Sequence, residues 1–252
     1  MKSPGNPVDP PASLKPDRDQ RVLEVVDTFR RMVIHYGLWL AQVEQQLGLE
    51  KCLEVERAAW EKSLAVQMTR LGKILGFEVE EHGMPLALKS KSPEELKTLL
   101  EGLSANWLAN DGIWFQAVEQ RHGMAAAQSC NDQAWARFSP FEAACIKSLH
   151  PLSESDPLDA LAVALDGRLY AQINRYTLER PDKTTLILYM NDCRVQSARK
   201  RKGLADYPCK SGGTIEYTTF ARAIDQRIKT ECIGCPPDAR PAEWFCAWKF
   251  TV

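Results

Sequence analysis

The chain has 252 residues, 44% hydrophobic and 26% charged, with 32 basic side chains against 33 acidic ones. That composition can bury a core and excludes a wholly disordered chain, while the near-neutral balance excludes a general phosphate-backbone binder. No apolar run reaches the roughly 18 residues a membrane span needs, and residues 1–20 lack the apolar stretch of a signal peptide. A cytoplasmic chain with neither a membrane nor a nucleic-acid partner is therefore expected.

In chain order, residues 1–18 carry five prolines and few apolar side chains, and are expected to form a disordered tail. From Asp19 the apolar residues Val22, Val25, Val26, Phe29, Val33 and Tyr36 recur at helical spacing. Trp39, Leu40 and Val43 continue the stripe to Gly48, a helix stop. A second long helix is predicted over 49–75, closed by Gly76, and a connector over 77–91. Ser92-Pro93-Glu94-Glu95 then opens another helix with a serine cap, proline at the first position and acidic residues in the positive first turn.

This second helical block repeats the first. A shift of 75 residues pairs Gly37 with Gly112, Trp39 with Trp114, Glu44 with Glu119, Gly48 with Gly123 and Trp60 with Trp135. Eight identities in 24 gapless positions imply two copies of one helical hairpin across residues 19–150. The repeated aromatic and acidic residues Trp39, Glu44, Trp114, Glu119 and Trp135 read as core, or as walls of a pocket shared by the copies.

After Pro151 the pattern changes. A short helix is predicted over 158–165, then a β-hairpin whose strands carry Leu169, Ala171, Ile173 and Leu186, Leu188, Met190 around a turn at 180–183. Helices follow over 193–202 and 218–224, the second preceded by Gly212-Gly213, and strands over 228–233 and 244–252. The expected class is α+β: a helical N-terminal half with an internal repeat, and over 151–252 an antiparallel sheet with helices on one side.

The eight cysteines are uneven: Cys52, Cys130 and Cys145 fall on helical patterns and read as small buried hydrophobes, while five crowd into the last 60 residues. Cys209, Cys232, Cys235 and Cys246 form an ordered set around a Cys-x-x-Cys turn. Four thiolates from neighbouring segments suit tetrahedral zinc, and an iron–sulfur cluster is the rival with the same ligand count. Four unrelated buried thiols is the plainer alternative.

The stretches Asn191–Gln196, 198–204, Tyr207-Pro208-Cys209-Lys210, Cys232–Asp238 and 245–250 together resemble an uncharacterised bacterial family of "cytosolic proteins", a domain of unknown function. More remotely, the C-terminal third resembles 4-vinyl reductase domains and the sensor domains of aromatic-responsive activators. That resemblance implies zinc on Cys209, Cys232, Cys235 and Cys246 beside an apolar ligand pocket, with a cysteine in place of an acidic ligand. The ending also resembles aminothiazoline-carboxylate hydrolases, which share a late cysteine before an aromatic-rich strand.

Cys193 stands apart, where the second hairpin strand meets a helix bearing Arg194, Arg199, Lys200, Arg201 and Lys202. A helix N-terminus and cations lower a thiol pKa, so Cys193 is the candidate nucleophile, with Glu119 or Asp225 as base and Arg194 and Arg199 as anion-binding groups. Glu119-x-x-His122 has the spacing of helical di-iron sites, but the repeat copy offers Leu47 where the second histidine would stand. No nucleotide-binding or common hydrolase motif appears. The expected function is a small-molecule-binding protein with a structural four-cysteine zinc site. The alternatives are an enzyme using Cys193 on a small anionic or sulfur-containing substrate, and an accessory subunit; a homo-oligomer or protein partner stays open.

Overall fold

The structure, a computed structural model, describes residues 17–201, 203 and 205–252. The expected tail, up to residue 16, and Lys202 and Leu204 of the basic segment lie outside the described residues. The chain divides into two compact units, the first ending at Leu86 and the second running Ala87–Val252. The division falls between the two hairpins, not at the change of texture near residue 150, because the second hairpin packs on the C-terminal elements.

In the first unit, α1 (Arg18–Leu47) is capped by Asp17, whose carboxylate accepts the Gln20 amide at 2.8 Å. Gly48, at φ 84° and ψ 163°, turns the chain directly into α2 (Leu49–Leu75). The 3₁₀ turn at Glu81–Gly83 lies flat on α2: a Cβ on Gly83 would stand 2.7 Å from Ala65 Cα. A one-turn helix, α3 (Leu86–Lys89), leads into the second unit.

There the capping box read from the sequence forms: Ser92 Oγ accepts the Glu95 amide at 3.2 Å, and Glu95 accepts the Ser92 amide at 2.9 Å. It opens α4 (Pro93–His122), and Gly123, at φ 85° and ψ 167°, turns it into α5 (Met124–Leu149). The duplication is thus visible in the backbone. Both hairpins join a 30-residue helix to one of 26 or 27 residues through a glycine of the same conformation, one that L side chains rarely adopt. Gly48 and Gly123 each donate their amide to the backbone carbonyl four residues back, that of Glu44 and Glu119, at 2.8 Å.

Helix α6 (Pro157–Asp166) is capped by Asp156. The predicted strand at 169–173 is instead a run of turns, with Ala171 and Asn174 amides bonded to the Arg168 and Tyr170 carbonyls. The strands are β1 (Arg175–Asp182) and β2 (Thr185–Asp192), so the turn comes later than expected. Its cause is Asp182, which accepts both the amide and the hydroxyl of Thr184, while Arg180 pairs with Asp156 and Asp159. Helices α7 (Arg194–Arg201) and α8 (Lys210–Ile224) precede β3 (Lys229–Gly234) and β4 (Cys246–Thr251). The four strands form one antiparallel sheet in the order β1-β2-β4-β3.

Leu186, Leu188, Trp248 and Phe250 on the sheet pack with Phe220 and Ile224 of α8, Leu158 and Leu161 of α6, and Ile146 of α5 to form the core. The tight layer is α8 on the sheet. Gly212 and Gly213, expected to precede the helix, lie inside it: a Cβ on Gly213 would stand 2.7 Å from Trp248 Cζ2, and one on Gly212 would stand 3.0 Å from Asn131 of α5. Because Trp248 is wholly buried, it cannot swing aside. Gly213→Ala should therefore overpack the layer and lower stability by about 1–3 kcal/mol, read by chemical denaturation, despite the better helix propensity of alanine.

Candidate ligand-binding site

The second unit has a cavity of about 500 Å³, partly open to solvent, between the α4–α5 hairpin, α7, α8 and the ends of β2 and β4. Its walls are largely apolar and aromatic. Trp135 packs edge-on against Trp107 at 5.9 Å and near Tyr170 at 5.7 Å; Tyr217 stacks on Trp248 at 4.9 Å; Phe115 meets Tyr207 edge-on at 5.1 Å.

Of the residues singled out from the sequence, Glu119, Trp135, Cys193, Arg194, Arg199, Cys209, Cys235 and Cys246 do line this cavity. Trp39 and Glu44 belong to the first unit and Trp114 is 60% exposed, so these three do not. The expectation of core tryptophans holds at Trp135, 6% exposed, and fails at Trp39, Trp60 and Trp114. Trp135 is buried among Trp107 of α4, Phe138 and Tyr170.

The thiols gather at one end. Cys209 Sγ and Cys235 Sγ are 3.4 Å apart, and Cys246 is a second hydrogen-bond partner of Cys235. The contact with Cys235 lowers the Cys209 pKa below the usual thiol value, helped by Gln196 Nε2 at 3.5 Å. Those same contacts, followed by burial, raise Cys235. Cys232 lies on β3 opposite Trp248, half-buried and off the cavity wall. Among the described residues no group of three or more His, Cys, Asp or Glu side chains is arranged to hold a metal ion.

Cys193 differs from the sequence expectation. Burial pushes its thiol up to about 12, outweighing the hydrogen bond from the Gln196 backbone that lowers it. The basic helix does not supply the thiolate-favouring field, since Arg194 is exposed and Arg199 donates to the Ala205 carbonyl at 2.7 Å. Asp225 is also no candidate base. It lies outside the cavity, and hydrogen bonds from Arg227 at 2.7 and 2.9 Å lower it to about 2.

The groups missed from the sequence are carboxyls. Arg168, 2% exposed, donates Nε to Glu142 at 2.8 Å and Nη1 to Glu216 at 2.7 Å, while the Leu169 amide donates to Glu142 at 2.9 Å. The guanidinium also lies 4.6 Å from the Phe220 ring centroid. Burial opposes its charge, but Glu142 and Glu216 outweigh that and hold Arg168 cationic. Glu216 reaches the cavity wall, and burial raises its pKa against the pull of Arg168. Asp111 on α4 also lines the cavity and is raised by burial alone. A signal for Glu216 existed, because it falls midway between Gly212 and Phe220 on the buried stripe of α8. Asp111 had none.

The Family of unknown function (DUF6125) matches residues 15–92 and 88–252. The chain belongs to that family. Comparison with curated proteins and with solved structures gave no match. Among the described residues of this DUF6125 chain, no helix is long and apolar enough to cross a membrane.

Two outcomes test the ion network. Arg168→Met should cost about 3–5 kcal/mol at neutral pH, because it leaves two carboxyls buried without a cation. Burial raises the pKa of Glu216, so the penalty should shrink as pH falls and that carboxylate takes up a proton, as urea titrations at pH 7 and pH 4.5 would show. Asp225 behaves in the opposite sense. Its depressed pKa contributes stability that is present above about pH 4, the unfolded carboxylate range, and lost towards about pH 2. Asp225→Asn should therefore lower the melting temperature at pH 7 and leave it unchanged near pH 2.

Proposed function

We propose that the second unit of this DUF6125 chain is a small-molecule-binding domain whose ligand occupies the cavity between the α4–α5 hairpin and the sheet. The observation that carries this reading is the cavity itself: about 500 Å³, walled by aromatic rings, with a few polar groups converging on it. A binding role is favoured over nucleophilic catalysis by Cys193, because burial keeps that thiol protonated at neutral pH. Native mass spectrometry of the purified protein should reveal a bound species of small-molecule mass that is lost on denaturation. Ala109→Trp, on the exposed part of the α4 wall, should prevent its retention without unfolding the protein. Equal native and denatured masses, together with no thermal shift from any of a panel of aromatic compounds, would rule the reading out.

A second reading concerns a soft metal ion at the thiol end, favoured by the Cys209–Cys235 contact of 3.4 Å. Thiolates sharing one zinc at bonds of about 2.3 Å stand about 3.8 Å apart in a tetrahedron. Cys209, Cys235 and Cys246 would supply three donors and Cys232, across from Trp248 on β3, the fourth, once side chains that do not form a metal-holding group as they stand rearrange around the ion. Four thiolates leave no open position, so the ion would tie β4 to the start of α8 and perform no hydrolysis. Elemental analysis should find about one zinc per chain, lost in Cys235→Ser and kept in Cys52→Ala. A coloured, iron-bearing preparation would assign the thiols to an iron–sulfur cluster instead, and a metal-free preparation with four alkylatable thiols would sink both.

A further inference from the structure

The first unit has helices without a core. Among its described residues Cys52 is the one buried hydrophobic side chain, and nothing on α1 is buried. Most helical stability in water comes from packing an apolar face, so two long helices need more than that contact to hold together. The second hairpin shows what such a pair requires. There α5 packs on α8 and contributes Ala143 and Ile146 to the core. Among the described residues the first unit offers its hairpin no third long helix.

Helix α1 carries the face that lacks a partner. From Val22 to Leu47, every residue reached by alternating steps of four and three is apolar. A seven-residue repeat of this kind is the seam along which two helices supercoil. The α2 helix covers only its hinge end, where Leu40 and Val43 are half-buried and the Cys52 thiol donates to the Leu40 carbonyl at 3.4 Å. Val22, Val26, Phe29, Val33 and Tyr36 are between 49% and 69% exposed. Ion pairs within the helix, Arg21 with Glu24 and Asp27 with Arg31, mark its solvated side.

We propose that this seam is a dimer interface, occupied by α1 of a second copy of the chain running antiparallel, so that two hairpins close into a four-helix bundle. Two arguments select a second copy. The first is self-complementarity. A twofold axis level with residues 34–35 sets Val33 against the partner's Tyr36 and Phe29 against the partner's Leu40, and it opposes the helix dipoles. Parallel pairing would set each aromatic ring against its own copy. The second argument is area. With Val25 and Trp39 on its flank, the seam exposes about 600 Å² of apolar side chain, taking about 100 Å² for a whole valine and about 200 Å² for a whole aromatic. At the roughly 65% apolar content of homodimer interfaces this becomes about 900 Å² per partner, enough for a stable complex, which takes about 800 Å².

Light scattering on the full-length protein, after size exclusion at micromolar concentration, tests it. The wild type should show twice the chain mass. Val33→Glu should halve that mass, because pairing would bury a carboxylate, whereas Leu38→Glu, one heptad on from Arg31 on the solvated side, should leave the dimer intact. Tyr36→Lys should also be monomeric alone, and mixing it with Val33→Glu should restore the doubled mass, since the pairing sets position 33 against position 36. A variant that had merely misfolded would not recover on mixing. A monomeric wild type overturns the proposal and assigns the seam to a different protein. A dimer that survives Val33→Glu, or is lost equally in Leu38→Glu, overturns the seam, and failure of the mixed variants to pair overturns the antiparallel second copy.

Discussion

The second unit depends on one buried guanidinium. Arg168 follows α6 directly, yet it joins Glu142 of α5 to Glu216 of α8, and the next amide, Leu169 N, takes the other oxygen of Glu142. Taking these charges out of water is costly, and their mutual attraction repays the cost only when every partner arrives in place. Three segments distant in sequence must therefore meet at one register or leave a charge stranded. The rings around the guanidinium, Phe220 at 4.6 Å and Tyr217 at 5.5 Å, close it off from solvent. Because Glu216 and Tyr217 also line the cavity, the network that fixes the helices also fixes the site wall.

The duplication shows how little of a helix's burial lies in its own pattern. Gly48 and Gly123 turn their chains identically, and the residues four positions on, Cys52 and Ala127, are both buried against the hinge. Farther along the copies part. On α5 the face towards α8 carries Ser139 and Ala143, and a Cβ on Gly212 of α8 would already meet Asn131 at 3.0 Å. The corresponding positions of α2 hold Leu64 and Met68, side chains too large for such an approach. Small residues on both partners let α5 and α8 close together, and Trp135 is covered by Trp107 and Tyr170 while its counterpart Trp60 stays 56% exposed. Divergence in side-chain volume, more than in hydrophobicity, separates the two hairpins.

Elements governed by local chemistry were legible in the sequence. The Ser92 capping box, the glycine hinges and the long helices stand within a residue or so of where the pattern put them, and the sheet with helices on one side follows from strand spacing. Legibility ended where tertiary contacts override local preference. Gly212 and Gly213 read as a break because a glycine pair is a poor helix former, yet Trp248 requires the absence of a side chain there. The alternation at 169–173 suggested a strand, but Arg168 and Glu142 commit that backbone to turns. At the site, the cysteines were conspicuous as a spaced set, and Cys209, Cys235 and Cys246 do converge on the cavity. The pKa reading of Cys193 erred because it counted neighbouring cations and not the burial that outweighs them. Asp111 was invisible, since nothing in Asn110-Asp111-Gly112 distinguishes a cavity carboxyl from a solvated one.

The carboxyls and the thiols of the cavity wall come from different parts of the chain. Carboxyls come from helices, Asp111 and Glu119 from α4 and Glu216 from α8, whereas the thiols come from the residue between β2 and α7, the turn after β3, the start of β4 and the residue before α8. Between them lie rings from both sources, Trp135 from α5 and Trp248 from β4. A ligand spanning this space would touch the hairpin and the sheet at once, so its binding energy would favour the docked arrangement over any in which the two separate. At a concentration of 100 times its Kd that linkage would be worth about 2.7 kcal/mol, comparable to a well-placed buried ion pair. Occupancy and the Arg168 network would then reinforce each other, since both are satisfied only when α5, α8 and the sheet are packed together.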